Sequence, residues 1–202
     1  MKIETQKIFL LEKTLLWLLL AVSVVGFWYY EASVVLRILA IGLSLVGLFI
    51  AFSKTDQPKL GSQKELAVLL ILYLGTFDLY NILYGMNLPL YIIMLAILLL
   101  VSIAFYTLLS LDRVDTLIEK PVFNVLVILM GLIVVEIFLS LYFWPVDPKV
   151  KSLIITIVFY LFSNLIYLHA HDMLRLKKVM GYTVVVFLIL GILFLSTWLS
   201  LK

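Results

Sequence analysis

Cysteine is absent from the 202-residue chain, and charged residues are scarce at 13%. The lack of cysteine excludes disulfide bonds, thiolate metal ligands and cysteine nucleophiles. The scarcity of charge argues against disorder and against a nucleic-acid-binding surface, because both need more ionised residues. Hydrophobic residues make up 65% of the chain instead. A water-soluble fold of this size could not hide so much apolar side chain, so we expect the chain to lie in a lipid bilayer.

Seven apolar runs, each close to the ~20 residues that a spanning helix needs, predict an all-α polytopic membrane protein. The strands of a membrane barrel would alternate polar and apolar residues, and these runs do not. We expect residues 1–202 to form one transmembrane domain, and we assign Pro145 and Pro148 to the turn after the fifth helix. The predicted helices are Leu11–Tyr30, Ser33–Phe52, Leu66–Tyr84, Leu88–Leu111, Val122–Trp144, Leu153–His169 and Val179–Leu201.

The distribution of basic residues predicts how the bundle is oriented. Eleven of the fifteen lysines and arginines fall at the N-terminus or in the connections on that same side. Because cytoplasmic connections carry the excess of positive charge, we expect the N-terminus in the cytoplasm and the C-terminus outside, in a cell membrane. Trp28, Trp144 and Trp198 then all lie at outer helix ends, where amphipathic rings prefer to sit.

Ionisable residues within the apolar runs are the strongest candidates for a functional site. A charged group in hydrocarbon is costly, so it is expected to face other helices, water or a partner. At 1.5 Å per residue, Asp78 lies about 9 Å, Glu136 about 12 Å and Arg37 about 6 Å below the outer ends of their predicted helices. Asn81 follows Asp78 by about one turn and shares its face. We therefore predict an intramembrane polar site formed by Arg37, Asp78, Asn81 and Glu136.

Small residues on the second predicted helix indicate where helices approach one another closely. They recur in steps of three and four and so form one face that allows tight packing. We expect this face to meet the other polar faces inside the bundle, with Arg37 paired to Asp78 or Glu136. Either an ion pair that fixes packing or a cavity that binds a cation or a proton fits this pattern. The packing stripe consists of Ala40, Ser44, Gly47 and Ala51.

The sixth predicted helix carries the longest polar stripe in the chain. Its hydroxyl, amide and imidazole groups recur at helical spacing from one end to the other. Such a stripe lines a pathway in some membrane proteins, but a helix–helix seam joined by side-chain hydrogen bonds is the commoner arrangement and the one we favour. The stripe comprises Thr156, Tyr160, Ser163, Asn164, Tyr167 and His171.

No arrangement of residues in the sequence identifies a reaction. We find no nucleophile–base pair, metal-ligand spacing or nucleotide-binding loop, so we expect no metal and no cofactor. The leading hypothesis is a non-catalytic membrane component that assembles with a membrane-protein partner or a second copy through helix packing. A carrier of a small solute or of protons, using the intramembrane acids, is the alternative, and an intramembrane enzyme is the third. The expected contacts otherwise are lipids, with anionic headgroups at the basic cytoplasmic face and no nucleic acid.

Overall fold

A computed structural model gives the architecture of the chain. It describes residues 18, 20–31, 34, 38, 42, 61–86, 88–111, 117–171, 180–181, 183–184, 187–189 and 191. Within these residues all regular structure is helical, which confirms the all-α prediction. Most of the second and seventh predicted helices lie outside the described residues, together with Arg37 and the whole packing stripe of Ala40, Ser44, Gly47 and Ala51.

Five helical segments carry the described fold, and four of them are long and apolar enough to cross a membrane. The shorter segment, α1, is the C-terminal part of the first predicted helix. The long helices begin earlier than predicted in three cases, because their first turns are too polar for a hydropathy pattern to include. The segments are α1 (Leu20–Tyr30), α2 (Gly61–Gly85), α3 (Leu90–Leu111), α4 (Lys120–Tyr142) and α5 (Pro148–Ala170).

The start of α5 corrects the assignment of Pro148 to a turn. Pro148 is the first residue of the helix, where its missing N–H and fixed φ are favourable. Asp147 is the N-cap, and its side-chain carboxylate accepts a 2.8 Å hydrogen bond from the backbone N–H of Lys149. The helix therefore begins five residues before the predicted Leu153, and it includes Lys149 and Lys151 in its first turn.

The four long helices pack in a closed ring around a shared apolar core. Helix α2 contacts α3 and α5, and α4 contacts the same two helices from the other side. Gly131 brings α3 and α4 close together, since a Cβ there would lie 2.7 Å from Cδ1 of Leu98 and 2.9 Å from Oγ of Ser102. Side chains from all four helices fill the centre, among them Leu72, Ile97, Phe105, Val134, Phe138, Ile155 and Phe159, none of which is exposed.

Helix α1 lies against α2 on the outside of this ring. The rings of Phe27 and Phe77 are 5.0 Å apart and join Leu74 in a small second cluster of buried residues. Gly75 lets the two helices come close, because a Cβ on it would lie 3.3 Å from Oγ of Ser23. The contact between α1 and α2 is the setting of the buried acid described next.

Candidate functional site

Asp78 is a buried acid at the interface between α1 and α2. Only 7% of its surface is exposed, and its Oδ1 accepts no hydrogen bond from any residue that the structure describes. The carboxyl group lies directly against Gly26 of α1, so closely that a Cβ at Gly26 would collide with it. The sequence placed Asp78 on an inward-facing stripe, and this position agrees with that expectation. A charged carboxylate without a hydrogen-bond partner is unfavourable in such surroundings. The site is therefore suited to holding a proton on the carboxyl group or a cation beside it.

Glu136, the second acid of the predicted site, differs from Asp78 in its exposure. It was expected to share an interior site with Asp78, but it lies on the exposed side of α4. The two residues that precede Glu136, Val134 and Val135, are buried in the core. Glu136 therefore lies on the side of α4 that faces away from the core. Asp78 is thus buried and Glu136 exposed, and a common site of Arg37, Asp78, Asn81 and Glu136 stays a prediction. The predicted pairing of either acid with Arg37 lies outside the described residues.

Asn81 and the stripe on α5 direct most of their polar atoms to their own helices. Asn81 donates a 2.8 Å hydrogen bond from Nδ2 to the carbonyl of Phe77, one turn earlier. On α5, four of the six residues of the stripe repeat this pattern, which satisfies a polar side chain without a neighbouring helix. The bonds to the carbonyl four residues earlier are made by Thr156, Ser163 and Asn164 at 2.8, 2.8 and 3.0 Å, and Nδ1 of His171 lies 3.0 Å from the carbonyl of Tyr167.

One residue of the α5 stripe also reaches the neighbouring helix α2. Nδ2 of Asn164 donates a 3.3 Å hydrogen bond to Oε1 of Glu65. Beside this contact is an open groove of about 370 Å³ between α2 and α5, lined by Glu65, Leu66, Leu69, Thr156, Ile157 and Tyr160. The groove is mainly apolar, and Asp78 is not among the described residues that line it.

A lysine buried among tyrosines is the feature that the sequence interpretation missed. Only 1% of Lys151 is exposed, and its ammonium donates to the hydroxyl of Tyr84 at 2.5 Å and to the carbonyl of Tyr142 at 3.4 Å. The same ammonium lies 5.0 Å from the ring centre of Tyr84 and 5.4 Å from that of Tyr80, within the range of cation–π attraction. These contacts hold the start of α5 to the ends of α2 and α4.

The aspartate–proline pair that begins α5 is the signal that could have revealed this lysine. Proline at the first helical position after an N-cap residue is a recognised mark of a helix start. Taken that way, Asp147 and Pro148 place Lys151 on the first turn of a helix and not in a connection. The aromatic partners lie at the ends of two other helices, and only the packing brings them to the lysine.

An ion pair ties the end of α1 to the start of α5. The ammonium of Lys149 lies 3.1 Å from Oε1 and 2.9 Å from Oε2 of Glu31. Glu31 is 2% exposed, whereas the side chain of Lys149 is 39% exposed. The acid thus has a basic partner at the bundle surface, in contrast to Asp78.

Comparison with known proteins gives a family and no named activity. No curated protein and no solved structure matched the chain. One family model matched residues 10–196, which is nearly the whole length and spans all the helices described above. The chain therefore belongs to DUF5656, a family whose description is a protein of unknown function.

Proposed function

We propose that this chain is a non-catalytic component of the cell membrane that assembles with another membrane protein, or with a second copy of itself, through helix packing. In this proposal it crosses the bilayer seven times, with its N-terminus in the cytoplasm and its C-terminus outside. The excess of lysine and arginine on the N-terminal side supports the orientation. The four long helices of the described ring are consistent with multiple crossings.

The separation of the two intramembrane acids is the observation that carries this proposal. A carrier needs polar groups that line one route, whereas Asp78 is enclosed against Gly26 and Glu136 lies on the exposed side of α4. The hydroxyls of Thr156 and Ser163 in the α5 stripe bond to carbonyls of their own helix and so are already satisfied. What remains is a packed bundle with exposed faces, which suits assembly better than transport.

The packing stripe of the second predicted helix is the first surface through which assembly is proposed. Gly47 lies at the centre of that stripe, and Gly42 lies on the same predicted helix outside it. A Cβ on Gly42 would meet nothing within 4 Å, so Gly42 provides a matched control on an open surface. Val34 and Ile38 lie on the same side as Gly42 and are each 61% exposed, so this side is open in the structure.

The assembly is tested by extracting the tagged chain from its native membrane in mild detergent and measuring the mass of the extracted complex. We expect a mass above that of one chain, reduced to that of one chain by Gly47→Leu and unchanged by Gly42→Leu. A single-chain mass for the wild type, or equal effects of the two substitutions, would contradict the proposal.

A proton-linked carrier is the second candidate, and the buried Oδ1 of Asp78 is the observation that favours it. Proton flux into liposomes separates the two functions. The assembly proposal predicts the flux of empty liposomes for the wild type and for Asp78→Asn alike. A flux above that level which Asp78→Asn removes would favour the carrier.

A further inference from the structure

The exposed side of α4 carries an acid in the middle of an apolar face. Residues at helical spacing form this face, which we call the α4 outer face. Leu129 is 48% exposed and Leu132 is 53% exposed, and Glu136 and Ser140 follow on the same side. Ser140 bonds through Oγ to the backbone carbonyl of Glu136 at 2.9 Å, so its hydroxyl leaves the carboxylate of Glu136 free. The α4 outer face consists of Val125, Leu129, Leu132, Glu136, Ser140 and Phe143.

Glu136 lies too deep in the bilayer for lipid headgroups to stabilise its charge easily. The helix has 23 residues and so is about 34 Å long, a few ångströms more than the ~30 Å of hydrocarbon in a bilayer. Glu136 lies six residues before the end of α4 at Tyr142, which puts it roughly 7 Å inside the hydrocarbon. A glutamate side chain is too short to reach water easily from there.

Nothing in the described part of the molecule neutralises this acid. The ion pair recorded among the described residues joins Lys149 to Glu31, and Lys151 is enclosed by tyrosines. An intramembrane acid on a surface is stabilised when another helix brings a basic group to it. The large apolar side chains on either side of Glu136 supply the packing area for such a helix.

We infer that the α4 outer face binds a transmembrane helix of a partner protein which carries an arginine or lysine at the depth of Glu136. The inference rests on the proposed assembly function and gives it a second surface and a partner of defined chemistry. A second copy in parallel orientation would bring Glu136 against Glu136, so charge complementarity favours a different chain. Glu136 forms the ion pair, and Leu129 and Leu132 pack against the apolar part of the partner helix.

The test uses a synthetic leucine-rich helix as the probe, with one arginine about 9 Å from its outer end. The full chain is reconstituted in phosphatidylcholine vesicles and labelled through a single introduced cysteine, which is selective because the chain has none. Energy transfer measures binding of the probe and of a matched probe with leucine in place of arginine. We expect the arginine probe to bind at least tenfold more tightly than the leucine probe.

Substitutions in the chain then show whether Glu136 is responsible. Glu136→Gln is expected to remove the tenfold preference, whereas Glu119→Gln, which changes another exposed acid just before α4, is expected to keep it. Equal binding of the two probes to the wild type would overturn the inference. So would an arginine preference that appears only after Arg37→Gln, since the chain's own arginine would then occupy the acid.

Two further outcomes separate this inference from the proposed function. A wild-type dimer that Glu136→Gln dissociates would make a second copy the occupant and overturn the inference. A chain that still forms a larger complex in native membranes, but shows no arginine preference, would leave assembly standing and remove only the basic partner.

Discussion

At the scale of single residues, Asp78 and Gly26 show that a pattern within one helix predicts burial but not the residue in contact. The spacing of Asp78 and Asn81 placed the acid on a polar face expected inside the bundle, and Asp78 is buried. The residue that covers it could not be found in the same way, because Gly26 belongs to another helix and no pattern links the two. The exposure of Glu136 could not be predicted from its own helix. That helix is apolar all round, so hydropathy alone does not indicate which side faces the core.

Gly26→Ala tests the contact between α1 and Asp78. The added Cβ collides with the carboxyl group, so we expect a loss of about 1–3 kcal/mol in the free energy of unfolding, as for other overpacked sites. Unfolding in detergent micelles measures it, and Gly42→Ala is the control because a Cβ there meets open space. Combining Gly26→Ala with Asp78→Ala should recover most of the loss. A Gly26→Ala variant as stable as Gly42→Ala would show that the contact is not close.

At the scale of helices, the apolar parts of the four long helices were predicted well and their polar first turns were not. The predicted Leu88–Leu111 differs from α3 by two residues at one end, whereas α5 starts five residues before the predicted Leu153. Polar residues such as Lys149 and Lys151 enter the helix because Asp147 caps it and the aromatic ends of other helices receive the lysine. Hydropathy describes the transfer of a side chain from water to lipid. It therefore does not indicate a helix cap or a contact between a lysine and aromatic residues.

The ion pair between Glu31 and Lys149 predicts how α1 is held to the ring. Lys149→Met removes the ammonium that lies 2.9 Å from the buried carboxylate of Glu31, so we expect a loss of about 1–3 kcal/mol in the free energy of unfolding, below the ~3–5 kcal/mol of a fully buried pair since Lys149 is 39% exposed. Thermal unfolding in detergent checks the loss, with Lys120→Met, an exposed lysine at the start of α4, as the control. Equal stability of these two variants would mean that the pair contributes nothing measurable.

At the scale of the whole molecule, composition predicted a bilayer as the surroundings of the chain, and the long apolar runs predicted the helical class. With 65% hydrophobic residues, the chain has enough apolar surface both to fill a core and to cover the outside. The described ring has that form, with a buried centre and exposed leucines on α3 and α4. Which helices are neighbours could not be predicted, because apolar faces of similar composition can pack in many orders.

The number and direction of crossings are tested most directly by labelling the two ends of the chain. Because the protein has no cysteine, Lys2→Cys and Lys202→Cys each introduce one thiol that a membrane-impermeant maleimide can report in intact cells. Seven crossings with a cytoplasmic N-terminus predict labelling of the Lys202→Cys variant in intact cells, and of Lys2→Cys only after the membrane is permeabilised. Labelling of both ends, or of neither, in intact cells would require an even number of crossings and contradict the account.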